Sequence, residues 1–207
     1  MVRLATSRCR HGHTLLEHPQ CDPRPLETVA FLDIESSNLS ADFGIIFSYA
    51  IKPLGKPTIL RVLKPEEIKK GIYDKELIRE CGQDILRFDR ICTYYGSDRR
   101  FDLPFIRTRA VHWGVPFPTY KSVKSTDVYS WVKAKLKLSR NRLQNACDFF
   151  DIPSKHHPLL ADTWFKAMNG NPKALKYIGE HNIEDVVSLE ELYKKMLPFS
   201  NLNSTSI

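Results

Sequence analysis

The stretch Thr28 to Ile34, TVAFLDI, is a short apolar run that carries one acid, Asp33, and meets a second, Glu35, just beyond it. A run of this length, followed by the polar loop SSNLSAD, fits a strand buried on both faces, and so the middle of a sheet. Residues two apart in a strand point to the same face, so both carboxylates reach one point. Two adjacent carboxylates at the end of an apolar strand repel each other unless a cation lies between them. A hard divalent ion with oxygen ligands, such as Mg²⁺, meets that need. The competing reading is a strand-end pair that simply faces solvent.

The remaining pattern is mixed. Gly44 to Ile51 and Thr58 to Leu63 read as two more strands of an antiparallel meander, with Pro53, Gly55 and Pro57 in the turn. Asp74 to Phe88 has helical spacing through Leu77, Ile78, Cys81, Ile85 and Phe88. Arg90 to Tyr95 is a strand ended by Gly96, and Asp102 to Trp113 a helix with Pro104 in its first turn. An extended stretch, Ser122 to Thr126, precedes a helix capped near Asp127. Ser139 to Phe150, Asp162 to Met168 and Pro172 to Met196 are predicted helices. Strands and helices in this order predict an α/β fold around one sheet. The 207 residues suit one domain over 28–200, after an irregular Cys/His-rich element at 1–27 and before a disordered tail at 201–207. Trp113, Trp131 and Trp164 fall at apolar helical positions and are expected in the core, as is Tyr95. Cys81, Cys92 and Cys147 read as buried thiols.

No apolar run approaches the ~20 residues of a membrane helix, and the opening MVRLATSRCRHGH lacks the apolar centre of a secretory signal, so a cytoplasmic protein is expected. Nothing demands more than a monomer. The net charge of +7 favours a polyanionic partner, of which nucleic acid is the common one. The excess is concentrated. Lys121, Lys124, Lys133, Lys135, Lys137, Arg140 and Arg142 face one acid, Asp127, between Tyr120 and Leu143. Lys133, Lys135 and Lys137 are therefore candidate nucleic-acid contacts, although a solvated helix face has the same composition.

Two further acids stand out. Asp102 sits in YYGSDRRFDLPF, at a strand–loop–helix junction where helix capping is the competing explanation. Asp185 sits in YIGEHNIEDVVSLEEL, beside the apolar Ile183, Val186, Val187 and Leu189. His181 lies four residues before it, on the same helical face. With FLDIESSNL, these segments resemble the DEDD superfamily of ribonuclease H-like 3′–5′ exonucleases, in order and over residues 28 to 197. The subgroup most similar is the predicted ribonuclease H-like exonucleases whose last motif reads Tyr-Asn-x-x-Asp-Val.

The resemblance implies a ribonuclease H-like mixed five-stranded sheet flanked by helices. It implies that Asp33, Glu35, Asp102 and Asp185 hold two Mg²⁺ or Mn²⁺ ions about 4 Å apart. His181 would be the general base, or would orient the attacking water. The substrate would be the 3′ end of DNA or RNA, with Asn38 near the terminal nucleotide and Arg99 and Arg100 on its phosphates. Two departures are visible. His181 stands at the spacing that the superfamily's tyrosine group uses, and Tyr95 stands where its middle motif often has Asn. A structure-specific endonuclease on the same fold and a catalytically inactive nucleic-acid-binding module are the alternatives. The presence of all four acids argues against the second.

The N-terminal element holds a separate cluster, CRHGHTLLEHPQC. Cys9, His13, His18 and Cys21 are candidate ligands of a structural Zn²⁺, with His11 as a substitute for His13. The segment is too polar to build a core of its own, and a metal would give it order.

Overall fold

The computed structural model describes residues 8–9, 11–14, 27–97, 100–154 and 158–200. Five strands form one sheet: β1 (Val29–Ser36), β2 (Ile46–Pro53), β3 (Ile59–Val62), β4 (Arg90–Thr93) and β5 (Lys124–Asp127). The order across the sheet is β3-β2-β1-β4-β5. β1 pairs antiparallel with β2 and parallel with β4, and β5 continues parallel beyond β4. The expected mixed five-stranded sheet is thus present, with β1 at its centre. Seven helices flank it among the described residues: α1 (Pro65–Lys69), α2 (Lys75–Ile85), α3 (Asp102–Trp113), α4 (Val128–Lys135), α5 (Leu143–Phe149), α6 (Ala161–Met168) and α7 (Pro172–Met196).

The period of two in β1 divides its side chains between two cores. Ala30, Leu32 and Ile34 join α2 and α3, through Leu77, Ile78, Leu103 and Ile106. Val29 and Phe31 join α4, α5 and the second half of α7, through Val128, Val132, Ala146, Val186 and Leu189. Asp33 and Glu35 continue the second set, so they emerge on the face that α7 covers. The 25-residue α7 starts cleanly because Asn171 accepts from the backbone N–H groups of Lys173 and Ala174, with Pro172 in the first turn.

Buried charge ties the helices to the sheet. Asp74, fully buried, accepts from Arg109 Nε (2.9 Å) and Nη2 (2.7 Å), Trp113 Nε1 (2.8 Å) and the Ile46 amide (3.0 Å). It precedes α2 but makes no side-chain cap bond, because its oxygens are committed to α3 and β2. At the other end of the sheet Arg90, also buried, pairs with Glu27 at 2.7 Å and donates to Thr126.

Four sequence expectations are corrected. The short α1 was not anticipated. The helix expected from Ser139 begins only at Leu143; residues 136–142 are irregular, with Tyr94 Oη donating to the Asn141 carbonyl at 2.7 Å. The three tryptophans are half-buried: Trp164 and Trp131 pack at the rims of the two cores, and Trp113 donates to Asp74. Tyr95 does not fill the core: it is 50 % exposed at φ +64°, a left-handed conformation forced by the turn after β4. The three interior cysteines are buried free thiols, and burial pushes each of them up from the usual thiol value.

Candidate active site

The acids of β1 lie where the strand leaves the sheet, with a register shift between Glu35 and Ser36 against β2. Parallel neighbours β4 and β5 end on the same rim, the side on which open α/β sheets place ligands. Three elements then bring further polar groups to this point.

The first is α3. Asp102 is its first residue, but its carboxylate caps nothing in the manner of an N-cap side chain. Instead Oδ1 accepts from the backbone N–H of Ile34 at 3.1 Å, between Asp33 and Glu35. Asp102 is buried at 3 % exposure, and the chain makes room for it with Gly96. A Cβ on Gly96 would stand 2.1 Å from Asp102 Oδ2 and 2.7 Å from Thr93 Cβ. Burial raises the Asp102 carboxyl to about 7, and Glu35 and Asp127 push the same way, against the Ile34 bond that lowers it.

The second and third contributions come from α7. His181 Nδ1 lies 3.2 Å from Glu35 Oε1. Glu35, His181 and Asp185 each offer a ligand atom, and these atoms all lie within 4.8 Å of one another. One residue on, Asn182 is fully buried. Its Nδ2 donates to Asp33 Oδ2 at 2.6 Å, and its Oδ1 accepts from Ser48 Oγ at 3.1 Å. The neighbours His181 and Asn182 thus grip the two acids of β1 separately.

Of the five expected catalytic residues, Glu35, His181 and Asp185 bring their ligand atoms together; Asp33 is held by Asn182, and Asp102 by the Ile34 amide between the two acids of β1. Oxygen-rich donors with one imidazole suit a hard divalent cation. The fit is strongest at Glu35 and Asp185, and the raised Asp102 marks a carboxyl whose charge needs compensation.

The expected nucleic-acid contacts are dispersed. Asn38 is exposed in the loop after β1, where its Oδ1 accepts from the Ser40 amide. Together with Glu35, Leu39, Phe101, Trp164 and Phe165 it borders a groove of about 470 Å³. Arg100 is occupied: its Nε meets Asp127 Oδ2 at 2.8 Å, and its guanidinium lies over Tyr95 and Tyr129. Arg99 lies outside the described residues. Lys133, Lys135 and Lys137 are exposed on and after α4.

At the N-terminus, a tight turn closed by Cys9 N–H to His13 O (2.8 Å) gathers Cys9, His11 and His13. Ligand atoms of all three lie within 4.8 Å of one another, so His11 stands beside His13 rather than in its place. His18 and Cys21 fall outside the described residues.

Sequence reading missed Asn182, Ser48 and Gly96. Asn182 was detectable in part. It lies on the seam Ile178, Asn182, Val186, Leu189, where period 3.6 turns a lone amide inward. Gly96 carried no such signal, since its requirement comes from a carboxylate that arrives from another element.

A mixed sheet in this order, with acids at the end of its central strand and a crossing C-terminal helix, defines a ribonuclease H-like α/β domain. The chain belongs to the RNase_H superfamily, whose family model matches residues 30–197. Among solved structures it is similar to the family B DNA polymerase from the hyperthermophilic archaeon Pyrobaculum calidifontis, with a TM-score of 0.66 at 20% identity. That match covers 84% of this chain but 25% of the polymerase, so the chain spans about a quarter of that protein's length. No curated protein matches its sequence. No described helix is long and apolar enough to cross a membrane.

Proposed function

We propose that this chain is a metal-dependent nuclease that hydrolyses phosphodiester bonds at the 3′ end of DNA or RNA. The observation that carries the reading is the convergence on Glu35. Helix α7 delivers His181 and Asp185 to it, while Asp102 is fastened to the backbone amide beside it. Asp33, Glu35, Asp102 and Asp185 would hold two Mg²⁺ or Mn²⁺ ions. Such ions lower the pKa of a coordinated water and neutralise charge on the scissile phosphate.

The chain's own groups do the rest. Glu35 facing His181 Nδ1 favours the proton on that nitrogen, which makes Nε2 the ring's acceptor. His181 is then the group that takes a proton from the attacking water. Asn182 fixes Asp33 so that the two acids of β1 cannot rotate apart. The groove beside Glu35 has apolar walls from Leu39, Trp164 and Phe165 and one amide, Asn38, which suits a single terminal nucleoside. A recess sized for one nucleoside supports cutting at an end over cutting within a duplex. For the N-terminal turn, the mixed Cys/His donor set supports a soft divalent ion such as Zn²⁺ in a structural role.

The decisive experiment is hydrolysis of end-labelled DNA and RNA oligonucleotides with Mn²⁺ or Mg²⁺, beside the Asp33→Ala and Asp185→Ala variants. A ladder that shortens from the 3′ end and disappears in both variants supports the reading. Internal cuts confined to branched substrates would transfer it to a structure-specific endonuclease. Binding with no cleavage of any polymer would leave a binding module.

A further inference from the structure

A second concavity, about 600 Å³, shares no lining residue with the groove beside Glu35. The groove is built from β1, its following loop and α6. This pocket is built from the loop after β4 and from the α4–α5 segment: Tyr94, Tyr95, Tyr129, Arg140, Arg142 and Leu143 are among its walls. Tyr94 packs against the second core and donates to the Asn141 carbonyl, whereas Tyr95, Tyr129 and the two arginines belong to neither core. Tyr95 is half exposed, and Arg140 and Arg142 are exposed.

The aromatic wall is built rather than incidental. Tyr129 meets Tyr95 edge to face at 4.9 Å and Tyr94 at 5.7 Å between ring centroids. The Arg100 guanidinium lies 4.7 Å from the Tyr95 ring and 4.4 Å from the Tyr129 ring. One buried carboxylate, Asp127, fastens these parts together. Its Oδ1 accepts from the Tyr95 amide (2.9 Å) and the Tyr129 amide (3.1 Å), and its Oδ2 accepts from Ser97 Oγ (2.9 Å). Tyr95 holds its left-handed backbone under that constraint. A surface tyrosine kept in such a conformation costs free energy that core packing does not return. Rigid aromatic faces beside guanidinium groups suit the stacking of nucleobases and the pairing of phosphates.

We propose that this pocket is a second nucleic-acid subsite, in which an unpaired nucleotide of the substrate strand, upstream of the end being cut, stacks on the exposed Tyr95 ring, which Tyr129 backs edge to face, while Arg140 and Arg142 pair with its phosphates. The inference rests on the nuclease reading and adds a strand preference to it. The pocket adjoins the acids because Tyr95 precedes Gly96, which packs on Asp102. A base stacked on the Tyr95 face has left its own helical stack, so single strands are favoured over duplex ends. A strand must also be long enough to span from the groove to the pocket.

The test compares a trinucleotide, a decanucleotide and the same decanucleotide annealed to its complement, in deoxy and ribo forms. Binding is read by anisotropy in Ca²⁺, and kcat/KM in Mn²⁺. The wild type should prefer the single-stranded decamer over the trimer and over the duplex by about tenfold or more. In Tyr95→Ala, and separately in the Arg140→Ala/Arg142→Ala pair, the decamer-to-trimer ratio should fall toward one. The arginine pair should also flatten the salt dependence of binding, by roughly 0.7 in log–log slope for each phosphate lost. Melting temperatures near wild type establish that these surface variants fold. If trimers are cut and the decamer shows no advantage in the wild type, or keeps it in both variants, the subsite is overturned and the nuclease reading stands. If no oligonucleotide of any length is cut, the nuclease reading itself fails.

Discussion

Asn182 donates a 2.6 Å hydrogen bond to Asp33 Oδ2 from the core of the protein, where its own carbonyl oxygen is held by Ser48. The contact joins α7 to β1 across 149 positions of sequence and sets the direction of a site carboxylate. Asn182→Ala should therefore lower nuclease activity by roughly 10- to 100-fold, as loss of such supporting bonds does. It should also cost about 1–3 kcal/mol of stability, because Asp33 and Ser48 lose a buried partner. Steady-state kinetics against Mn²⁺ concentration would check this. Unchanged metal dependence and rate would remove Asn182 from any positioning role.

Gly96→Ala places a methyl group 2.1 Å from Asp102 Oδ2, a distance at which something must move. The neighbouring backbone is fixed at Leu103 N–H to Gly96 O, 3.0 Å, so the carboxylate is what shifts. Activity should fall at least as far as in Asp102→Asn, while circular dichroism retains the folded spectrum. A fully active Gly96→Ala would show that the Asp102 carboxylate is not held where the site needs it.

The raised Asp102 carboxyl has a sign that can be tested. Its ordinary value near 3.8 moves to about 7 in the folded protein, chiefly through burial. Between those values the folded state holds more protons than the unfolded chain, so stability falls as pH rises through that window and levels off above it. Melting temperatures in chelator, from pH 4 to 8, should show this decline, and Asp102→Asn should lose most of it. Added Mn²⁺ should stabilise more at pH 8 than at pH 6, because its ligands must be ionised. A wild-type profile that rises across the window would contradict the assignment.

Asp74 separates a structural acid from a catalytic one. It is the most enclosed carboxylate of the α2–α3–β2 junction, and its loss strands the buried Arg109. Asp74→Ala should cost about 3–5 kcal/mol in chemical denaturation. Its rate per folded molecule, measured well below the melting transition, should stay close to wild type.

The Cys9–His11–His13 turn is expected to bind one soft divalent ion. Metal analysis of protein purified without chelator should find about one zinc per chain by the coordination chemistry of such donors. The double variant Cys9→Ser/His13→Ala should lose it, without change in the Mn²⁺ dependence of hydrolysis. Comparison with Cys21→Ser would decide whether the ligand set extends to the second cysteine.

The short-range features of the fold were legible in the chain. Apolar runs bounded by Pro, Gly and polar loops located β1, β2 and β3 to within a few residues. Helical spacing located α2, and α3, α6 and α7 lie within a few residues of where helices were expected. Those patterns reflect which side chains a strand or helix must bury, and burial is decided locally by period. Asp33 and Glu35 were visible as a pair at the end of an apolar strand, whereas Asp102 and Asp185 joined them only through the resemblance to the ribonuclease H-like exonucleases. The α5 boundary failed because the irregular path of residues 136–142 is tied to Tyr94, an element away, and propensity alone favours helix there.

What the sequence determined by itself is the periodicity that makes β1 central and places Asp33 and Glu35 on one of its faces. It also set the helical spacing that keeps His181 and Asp185 together. Only the tertiary structure decided which neighbours those groups have. That Ile34 donates to Asp102, that Asn182 holds Asp33, that Gly96 must lack a side chain, and that Asp127 draws Tyr95 out to the surface are all contacts between distant segments. Such contacts depend on how the sheet twists and where α7 crosses it. No local pattern encodes them, because each exists only after the core has closed.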